Sequence, residues 1–415
     1  MYKDKICIIG LGYVGLPLAA EFSKKFSVTG YDIDKKKIIE LKNGIDITKE
    51  LDKKGIDNLK KIHLTYDSKD LKESKFFIVT VPTPIFKDKK PNLSYLKKAS
   101  KIVSKNLNKG DFVIYESTTF TGCTGNLCVP ILEKFSKLKL NKDFYCGYSP
   151  ERINPGDKKH KLNKITKVVS GSNAYASKII SNIYKNITKE KIFVSKSIKV
   201  AEASKVIENI QRDINIALMN ELSVIFNKLK IEFNEVLKAS NTKWNFLNFK
   251  PGLVGGHCIG VDPYYLADLA IKNKIYPKII LAGRKTNDKM SDYIVDNVKK
   301  RIKKKAKILL IGLSFKEDVP DFRNSQSTII IKKLLKKGFN LDTFDKLIDI
   351  KNLGVSRHYT NFKNLKNKSY DLVLILVGNR EIKNKGHMFF KKLLKPSGLL
   401  FDIKNIFKNK SDFKL

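Results

Sequence analysis

The chain has 415 residues, of which 42% are hydrophobic and 10% aromatic, and a formal net charge of +41. This length allows two or three domains with sizeable cores, and no apolar run approaches the roughly 20 residues that a membrane-spanning helix needs. We therefore expect no membrane insertion, and the N-terminus shows no cleavable apolar signal segment.

The high positive charge would ordinarily indicate a nucleic acid or an anionic membrane as partner. However, only 7 of the 82 basic residues are arginine, the usual bidentate ligand of phosphates and guanines. The lysines are also spread through every segment. We interpret the charge as a solvated lysine-rich surface and expect no nucleic-acid partner. A polyanion-binding protein without enzymatic activity stays open as an alternative.

The cysteines show neither a disulfide framework nor the paired spacing of a zinc site. With no export signal, they favour reduced thiols in a cytoplasmic protein, and we expect no metal. The five positions are Cys7, Cys123, Cys128, Cys146 and Cys258.

The first third of the chain alternates predicted strands and helices. "KICIIG" at 5–10 predicts a buried strand, which glycines and an apolar-periodic helix follow, and "SYLKKASKIVSKNL" predicts another helix. This alternation is typical of a parallel α/β sheet. Further strands are predicted at 26–32, 75–82, 111–117 and 143–149.

A glycine-rich turn follows the first strand. "GLGYVG" places Gly10, Gly12 and Gly15 in the G-x-G-x-x-G spacing, which lets backbone N–H groups approach a pyrophosphate and a helix pack closely on a strand. The second strand ends in Asp32, whose carboxylate can accept hydrogen bonds from a ribose hydroxyl and would repel a 2′-phosphate. The pattern predicts NAD, rather than NADP, as cofactor.

Two polar loops follow strands of this first domain. "YESTTFTG" carries Glu116 and Thr118, and "YSPERINPGD" carries Glu151. Because ligands bind at the carboxyl edge of a doubly wound sheet, we expect these side chains to face the nicotinamide.

The middle of the chain is helical. No glycine or proline occurs between Gly171 and Pro251, and apolar residues recur every three or four positions. We predict a helix over about 199–229, roughly 45 Å long, that forms a spine between domains and leaves one face free for a second subunit. Lys205 and Asn209 share one face of this helix.

A second glycine-rich loop, "LVGGHCIGVDP" at 253–263, surrounds Cys258. Its three glycines favour a loop whose backbone can approach a ligand, and they are Gly255, Gly256 and Gly260. Taken alone, the cysteine could be a packing residue, a metal ligand or a nucleophile.

The last third repeats the α/β pattern, beginning with "AKILLIGLSFK" at 306–316. We therefore predict two Rossmann-like doubly wound α/β domains joined by a long central helix and a helical middle domain. The expected domains are 1–190 for NAD binding, 191–300 for the helical dimerisation domain with the cysteine loop, and 301–415 for the second α/β sheet. Strands of the last domain are predicted at 340–345, 370–378 and 398–403.

Several long motifs, in order along the chain, resemble the UDP-glucose/GDP-mannose dehydrogenase family. Within it they are most similar to the UDP-N-acetylhexosamine 6-dehydrogenases, including the Vi-antigen type, which oxidise C6 of UDP-GlcNAc or UDP-GalNAc for surface polysaccharides such as capsule or O-antigen. The motifs are "GLGYVGLPLA", "VPTP", "EST", "SPERINPGD", "KVIENIQRDINIALMNEL", "GLVGGHCIGVDPYYL" and "GLSFKEDVPDFRNS".

The resemblance implies that the domain 301–415 binds the nucleotide sugar, and it implies roles for individual residues. The implied catalytic residues are Cys258, Lys205, Asp262, Glu151, Asn209 and Thr118. The implied cofactor contacts, besides the three glycines and Asp32, are Tyr13, Val14, Thr83, Thr118 and Arg323. The implied substrate contacts are Glu151, Arg152, Ile153, Asn154, Lys205, Asn209, Lys250, Gly255, Gly256 and Lys316.

The resemblance also implies a homodimer and a four-electron oxidation of a UDP-sugar, in which the Cys258 thiolate holds the aldehyde as a thiohemiacetal and then as a thioester. Lys250 stands where close relatives are expected to have arginine, which loses the fork geometry for a phosphate. His257 has no role in this scheme, and we expect it to pack or hydrogen-bond in the loop. UDP-glucose, GDP-mannose and a two-electron NAD dehydrogenase stay open, as does the C4 stereochemistry of the hexosamine.

Overall fold

The computed structural model describes residues 2–152, 162–348 and 353–415. The chain divides into two compact units, a first comprising Met1–Glu208 with Tyr264–Ile275, and a second comprising Asn209–Pro263 with Tyr276–Leu415. The strands are β1 (Tyr2–Ile9), β2 (Phe26–Tyr31), β3 (Ile62–Thr65), β4 (Phe76–Val79), β5 (Phe112–Tyr115), β6 (Tyr145–Tyr148), β7 (Lys167–Gly171), β8 (Ile192–Val194), β9 (Lys307–Ile311), β10 (Asn340–Phe344), β11 (Arg357–Tyr359), β12 (Tyr370–Ile375) and β13 (Leu394–Asp402). The helices are α1 (Gly15–Phe22), α2 (Lys35–Lys42), α3 (Lys53–Leu59), α4 (Ser94–Ser104), α5 (Val129–Ser136), α6 (Ala174–Tyr184), α7 (Ile198–Lys228), α8 (Phe233–Ser240), α9 (Asp262–Lys272), α10 (Lys278–Arg301), α11 (Gln326–Lys336) and α12 (Arg380–Leu393).

The first unit contains an eight-stranded sheet in the order β3-β2-β1-β4-β5-β6-β7-β8. Its first six strands have the order of a dinucleotide-binding fold and are parallel, as predicted. The sequence patterns missed β3, β7 and β8. They also missed that β7 runs antiparallel to β6, with Tyr148 opposite Ser170.

The central parallel strands β1, β4 and β5 are buried on both faces, as a parallel sheet requires. Alternate residues of each strand point to opposite faces and join two apolar cores. One core contains Ile6, Ile8, Ile78 and Ile114, and the other contains Cys7, Ile9, Phe77, Val79 and Val113. The apolar runs in the sequence therefore specify these strands directly.

The second unit contains a five-stranded parallel sheet in the order β11-β10-β9-β12-β13. Apart from β11, its strands match the predicted ones. Apolar cores again cover both faces, which confirms two Rossmann-like α/β sheets.

Helix α7 confirms the predicted long central helix, but its burial is unusual. Much of its apolar periodic surface is exposed, while many of its polar residues are buried. The exposed apolar residues are Val200, Ile207, Leu218 and Ile225, and the buried polar ones are Glu202, Lys205, Asn209, Asp213, Asn220 and Ser223. Among the described residues, no helix has both the length and the unbroken apolar character that a bilayer span demands.

Candidate active site

The glycine turn after β1 has the close backbone packing that the sequence predicts. Gly10 has a φ of +96°, and a Cβ added at Gly15 would lie 1.9 Å from the Gly10 carbonyl oxygen and 2.4 Å from Oγ1 of Thr80. A Cβ at Gly12 would meet nothing within 4 Å. Side chains are thus excluded beneath the turn, and the space over Gly12 is open for a pyrophosphate. The half-buried residues between these glycines are Tyr13 and Val14.

Asp32 lies at the end of β2, as the motif predicts, and its carboxylate is held by several donors. Oδ2 accepts the N–H of Leu11 at 2.9 Å, and Oδ1 accepts the N–H of Asp34 at 3.0 Å. Lys37 also donates to Oδ2 at 2.7 Å. Sequence reasoning missed Lys37 because three successive lysines begin the helix and only one of them turns back to the carboxylate.

The loops that follow β4 and β5 are joined by hydrogen bonds. The hydroxyl of Thr83 donates to the carbonyl oxygen of Thr118 at 2.7 Å, and the hydroxyl of Tyr265 donates to the carbonyl oxygen of Thr83 at 2.5 Å. The structure therefore brings together two residues that the resemblance assigns to the cofactor. Tyr265, which the sequence did not single out, fixes their loops.

The loop after β6 carries Glu151 and Arg152. The Glu151 carboxylate is buried and accepts the N–H of Arg152, whose guanidinium pairs with Glu208 at 2.7 Å. The substrate contacts predicted at Ile153 and Asn154 lie outside the residues that the structure describes.

Behind this loop is a buried cluster of charges that sequence reasoning missed. Nζ of Lys167 lies 2.8 Å from a carboxylate oxygen of Glu116 and 2.9 Å from one of Glu151. The hydroxyl of Tyr184 donates to the other oxygen of Glu116. Glu116 thus faces this cluster from the end of β5, beside Glu151.

Glu202 of α7 organises the segment that follows Thr118. Its buried carboxylate accepts the backbone N–H groups of Gly122 and Thr124 and the hydroxyl of Thr124. Burial raises the pKa of Glu202 even though these hydrogen bonds favour the ionised form. A glutamate on the apolar-striped helix was the signal that could have identified this contact.

In the second unit, the cysteine loop lies against the loop that precedes α11. Gly255 and Gly256 have no room for side chains, because an added Cβ would lie 2.7 Å from the carbonyl oxygen of Asn324 and 2.5 Å from the ring of Phe315, respectively. Cys258 itself is exposed, whereas the other four cysteines are buried. The glycines therefore bring the backbone of the cysteine loop, in which Cys258 is exposed, close to the neighbouring loop.

Asp262 is the first residue of α9 and is hydrogen-bonded to Cys258. Its N–H donates to the carbonyl oxygen of Cys258 at 2.8 Å, and its buried carboxylate accepts Nδ2 of Asn209 at 2.5 Å. The structure thus joins two residues that the sequence places 53 positions apart. Lys205, four residues before Asn209 on the helix, is also buried.

His257 links the same two loops. Its Nε2 lies 3.4 Å from Oδ2 of Asp321, and its Nδ1 lies 3.3 Å from Nδ2 of Asn324. Arg323 also pairs with Asp321, at 2.6 Å. Burial alone would raise the pKa of Asp321, but the nearby His257 and the hydrogen bonds from Arg323 lower it well below its usual range. These contacts agree with the hydrogen-bonding role expected for the histidine.

A small cavity in the second unit is lined by Gly255, Ser314, Lys316, Gln326 and Lys404. Two lysines and several polar groups around a glycine backbone suit an anionic ligand. Lys316 was predicted to contact the substrate. Lys404 was not, because nothing in its local sequence distinguishes it from the other lysines of this chain.

The start of the cysteine loop is clamped by a buried amide. Asn220 donates Nδ2 to the carbonyl oxygen of Gly252 at 3.0 Å and accepts the Gly252 N–H at 2.8 Å. Asn220 is itself held by Asn287, which donates to Asp213. Lys250, two residues before the clamp, is exposed.

A glycine turn with an acidic strand end in one Rossmann-like sheet, and a second such sheet with an exposed cysteine loop and a cationic cavity, define an NAD-dependent dehydrogenase of two-sheet architecture. Sequence comparison places it more narrowly. The chain belongs to the UDP-glucose/GDP-mannose dehydrogenase family: the NAD binding domain matches residues 4–224, the central domain 199–289 and the UDP binding domain 309–409. It is therefore an oxidoreductase with NAD as cofactor, and its substrates are nucleotide sugars.

Individual relatives match over at least 96% of their length. The chain is 46% identical to the UDP-N-acetyl-D-glucosamine 6-dehydrogenase of Salmonella typhi, covering 97% of this chain and 96% of the relative. It is 47% identical to the enzyme of the same name from Pseudomonas aeruginosa, covering 100% of both. The solved structure of UDP-D-ManNAc dehydrogenase from Pyrococcus horikoshii superposes with a TM-score of 0.88 at 29% identity, covering 99% and 98% of the two chains.

Proposed function

We propose that this protein oxidises the C6 hydroxyl of a UDP-N-acetylhexosamine, UDP-GlcNAc or UDP-GalNAc, to the uronic acid. The exposed Cys258, in a loop where Gly255 and Gly256 have no room for side chains, is the observation that carries the proposal. The similarity to two UDP-N-acetyl-D-glucosamine 6-dehydrogenases over nearly the whole chain supports the substrate.

The first unit would hold NAD. The open space over Gly12, the positive φ of Gly10 and the carboxylate of Asp32 fit a pyrophosphate followed by a ribose. When bound, NAD supplies the hydride acceptor for each of the two oxidations. Thr83 and Thr118 hold the neighbouring loops together, and Arg323 is proposed as a further contact to the cofactor.

Cys258 would act on the aldehyde that the first oxidation leaves. Its thiolate sulfur bonds to the aldehyde carbon and gives a thiohemiacetal, which on loss of a second hydride becomes a thioester. Lys205, as a buried cation, would stabilise the alkoxide charge, and Asn209 and Asp262 hold each other in place. The thiol thereby prevents the aldehyde from leaving between the two oxidations.

Hydrolysis would complete the reaction. The oxygen of a water molecule bonds to the thioester carbon, the carbon–sulfur bond breaks, and the thiolate of Cys258 leaves. We propose that Glu151 accepts the proton of this water as a general base. The products are the uronate and the free thiol, and each sugar consumes two equivalents of oxidised cofactor.

The second unit would hold the UDP moiety. Lys316 and Lys404 supply positive charge beside the backbone of Gly255 and Gly256. Lys250 is proposed to contact the pyrophosphate as a point charge, without the bidentate geometry of arginine. Arg152 is proposed to contact the sugar.

The decisive experiment is an assay of NADH formation on a panel of UDP-GlcNAc, UDP-GalNAc, UDP-glucose and GDP-mannose, with the products identified by mass. We expect two NADH per sugar and a uronate product from at least one UDP-N-acetylhexosamine. One NADH per sugar would establish a two-electron dehydrogenase instead. Turnover confined to UDP-glucose or GDP-mannose would overturn the proposed substrate.

We also propose that the protein is a homodimer and that its product serves surface-polysaccharide synthesis. The exposed apolar residues of α7, with Trp244 at 96% exposure, support the dimer. The polysaccharide role rests on the family resemblance of the motifs.

A further inference from the structure

Lys167 and Glu116, the two members of the buried cluster that lie behind Glu151, have no part in the reaction proposed above. Lys167 and Glu116 are each only 1% exposed, and Glu151 is 4% exposed. Burying two carboxylates with one ammonium group is costly unless every charge is paired. Because this costly cluster includes the proposed general base Glu151, its charges indicate a role in positioning that base.

The sheet topology explains how a lysine reaches this position. Lys167 is the first residue of β7, and in an all-parallel sheet it would lie at the amino edge, away from the ligand-binding loops. Because β7 runs antiparallel to β6, its first residue instead lies beyond Tyr148, at the carboxyl edge. Tyr115 pairs with Tyr148 in β5 and β6, so the following Glu116 reaches the same edge.

The two glutamates differ in their ionisation. Burial raises the pKa of Glu116 to about 8, against the opposing charge of Lys167. Burial would also raise the pKa of Glu151, but the charge of Lys167 and hydrogen bonds from Glu116, Lys167 and the Arg152 N–H outweigh it and lower the pKa. These opposite shifts favour a proton on Glu116 rather than on Glu151, and the charge of Lys167 stabilises the ionised form of Glu151.

We propose that Lys167 is a positioning residue that fixes the Glu151 carboxylate in one orientation, with Glu116 as the partner that completes the cluster. Tyr184 holds Glu116 through its hydroxyl, and its ring lies 5.2 Å from Nζ of Lys167. Lys167 acts only through Glu151, so this inference rests on the proposed role of Glu151 in thioester hydrolysis.

The test compares Lys167→Met with Glu151→Gln, and uses Lys164→Met as the matched control because Lys164 is an exposed lysine three residues away. Each variant is mixed with NAD and UDP-GlcNAc or UDP-GalNAc, whichever the parent turns over. Steady-state NADH formation and the intact mass of the protein during turnover are measured. A thioester adds the mass of the oxidised nucleotide sugar to the chain.

We expect Lys167→Met to lower kcat about 100-fold, within the range for loss of a general base, with KM values changed less than about threefold. Both Lys167→Met and Glu151→Gln should accumulate the covalent adduct, and Lys164→Met should not. A purely structural lysine would lower the amount of folded protein without trapping the adduct. Normal turnover, or slow turnover without adduct, in Lys167→Met overturns the inference.

Two further variants guard against misfolding. Lys167→Arg keeps the charge and should restore hydrolysis to within about tenfold of the parent, and Glu116→Gln mimics the protonated glutamate and should hydrolyse the adduct at pH 7. Adduct trapped in Glu116→Gln but not in Lys167→Arg would show that Glu116, not Lys167, fixes the base, and would overturn the assignment. If Glu151→Gln hydrolyses the adduct at the parent rate, Glu151 is not the general base, and both its proposed role and this inference are wrong. If Glu151→Gln traps the adduct and Lys167→Met does not, only this inference fails.

Discussion

Asp32 and Asp345 occupy equivalent places in the two sheets. Each ends the strand beside the first strand of its own sheet, and each accepts the backbone N–H of the residue after a glycine. The Leu11 N–H lies 2.9 Å from Asp32 Oδ2, and the Leu313 N–H lies 2.7 Å from Asp345 Oδ2. The same turn is thus built twice in one chain.

The segments after the two turns differ in length. Helix α1 begins at Gly15, directly after the first glycine turn, whereas α11 begins at Gln326, after the loop that carries Lys316 and Arg323. Each carboxylate also accepts the N–H of the residue two positions after it, but Asp345 is fully buried whereas Asp32 is 6% exposed. We infer that only the first turn accepts a ribose, and that the long second loop serves the other nucleotide.

Replacing Asp32 with alanine tests this difference. The variant loses a ribose acceptor and the charge that repels a 2′-phosphate, so NAD binding should weaken and the preference for NAD over NADP should fall about tenfold or more. The ratio of kcat/KM for the two cofactors measures it. Asp34→Ala removes a helix-capping carboxylate two residues away and should leave the ratio unchanged. Equal use of NAD and NADP by the parent protein would contradict the assignment.

Asn220 should be essential for the geometry of the cysteine loop. Asn220→Ala leaves both backbone groups of Gly252 without their partner, and buried unsatisfied groups cost about 1–3 kcal/mol each. We expect a lower unfolding temperature and a changed rate of Cys258 alkylation by iodoacetamide. Asn227→Ala, which removes an amide that donates to Ser223 of its own helix, is the control and should change neither. An unchanged alkylation rate in Asn220→Ala would show that the loop does not depend on the clamp.

Glu116 should make stability fall as the pH rises from 5 to 8. In the unfolded chain its carboxyl ionises near its ordinary pKa of 4.5, but burial raises the pKa to about 8 in the folded protein. Between these values the folded state binds more protons, so the free energy of unfolding decreases with pH by up to about 1.4 kcal/mol per unit. Glu116→Gln cannot ionise and should lose this slope, becoming relatively more stable at pH 8.

Denaturant unfolding of the parent and of Glu116→Gln at several pH values measures this difference. Glu190→Gln changes an exposed glutamate and should follow the parent at every pH. Parallel curves for the parent and Glu116→Gln would mean that Glu116 is ionised in the folded protein throughout this range.

The proposed dimer predicts an apparent mass of about twice 47.4 kDa in solution. Leu218 and Ile225 lie one heptad apart on α7 and are 49% and 44% exposed. Replacing both with lysine should yield monomers, because charges would then have to be buried between subunits. Light scattering measures the mass, and Lys228→Ala at the end of the same helix is a control. A monodisperse, fully active monomer of the parent protein would contradict the proposal.

Local patterns predicted the elements that local physics determines. Buried apolar runs gave β1, β4 and β12, and the glycine spacing gave the turn at Gly10, because backbone conformation and strand burial are encoded by neighbouring residues. The lysine of the buried cluster could not be found this way. Lys167 contacts glutamates 51 and 16 positions away, through a reversal of strand direction that no local pattern specifies.

Helix α7 also shows what a local pattern leaves undetermined. Its period predicted a helix correctly, but period alone does not say which face is buried. The apolar residues Ile207 and Leu218 are exposed, whereas Glu202 and Asp213 are buried in hydrogen bonds. Their burial is explained by hydrogen-bond partners that are distant in sequence. Thr124 donates to Glu202, and both Arg284 and Asn287 donate to Asp213.

Cys258→Ala tests the covalent step itself. The substitution removes an exposed thiol and leaves Asp32, Lys205 and the carboxylates in place, so the fold and the binding of NAD and UDP-sugar should survive. The first oxidation needs only an oriented alcohol and a base, and should persist slowly. The second needs a tetrahedral carbon that carries an alkoxide, which without the thiol must come from a hydrated aldehyde that the protein does not hold in place.

We therefore expect near-normal ligand binding with uronate formation lowered on the order of 10⁴-fold, by analogy with the loss of other covalent nucleophiles. NADH per UDP-sugar, with the product identified by mass, measures the effect, and aldehyde in place of uronate should be found. Cys258→Ser, which keeps a small hydroxyl in the same loop, should be almost as inactive, because an uncharged hydroxyl adds poorly to an aldehyde without an activating base. If Cys258→Ala makes uronate and two NADH at close to the parent rate, Cys258 is a structural loop residue, and the two oxidations must proceed without a covalent intermediate.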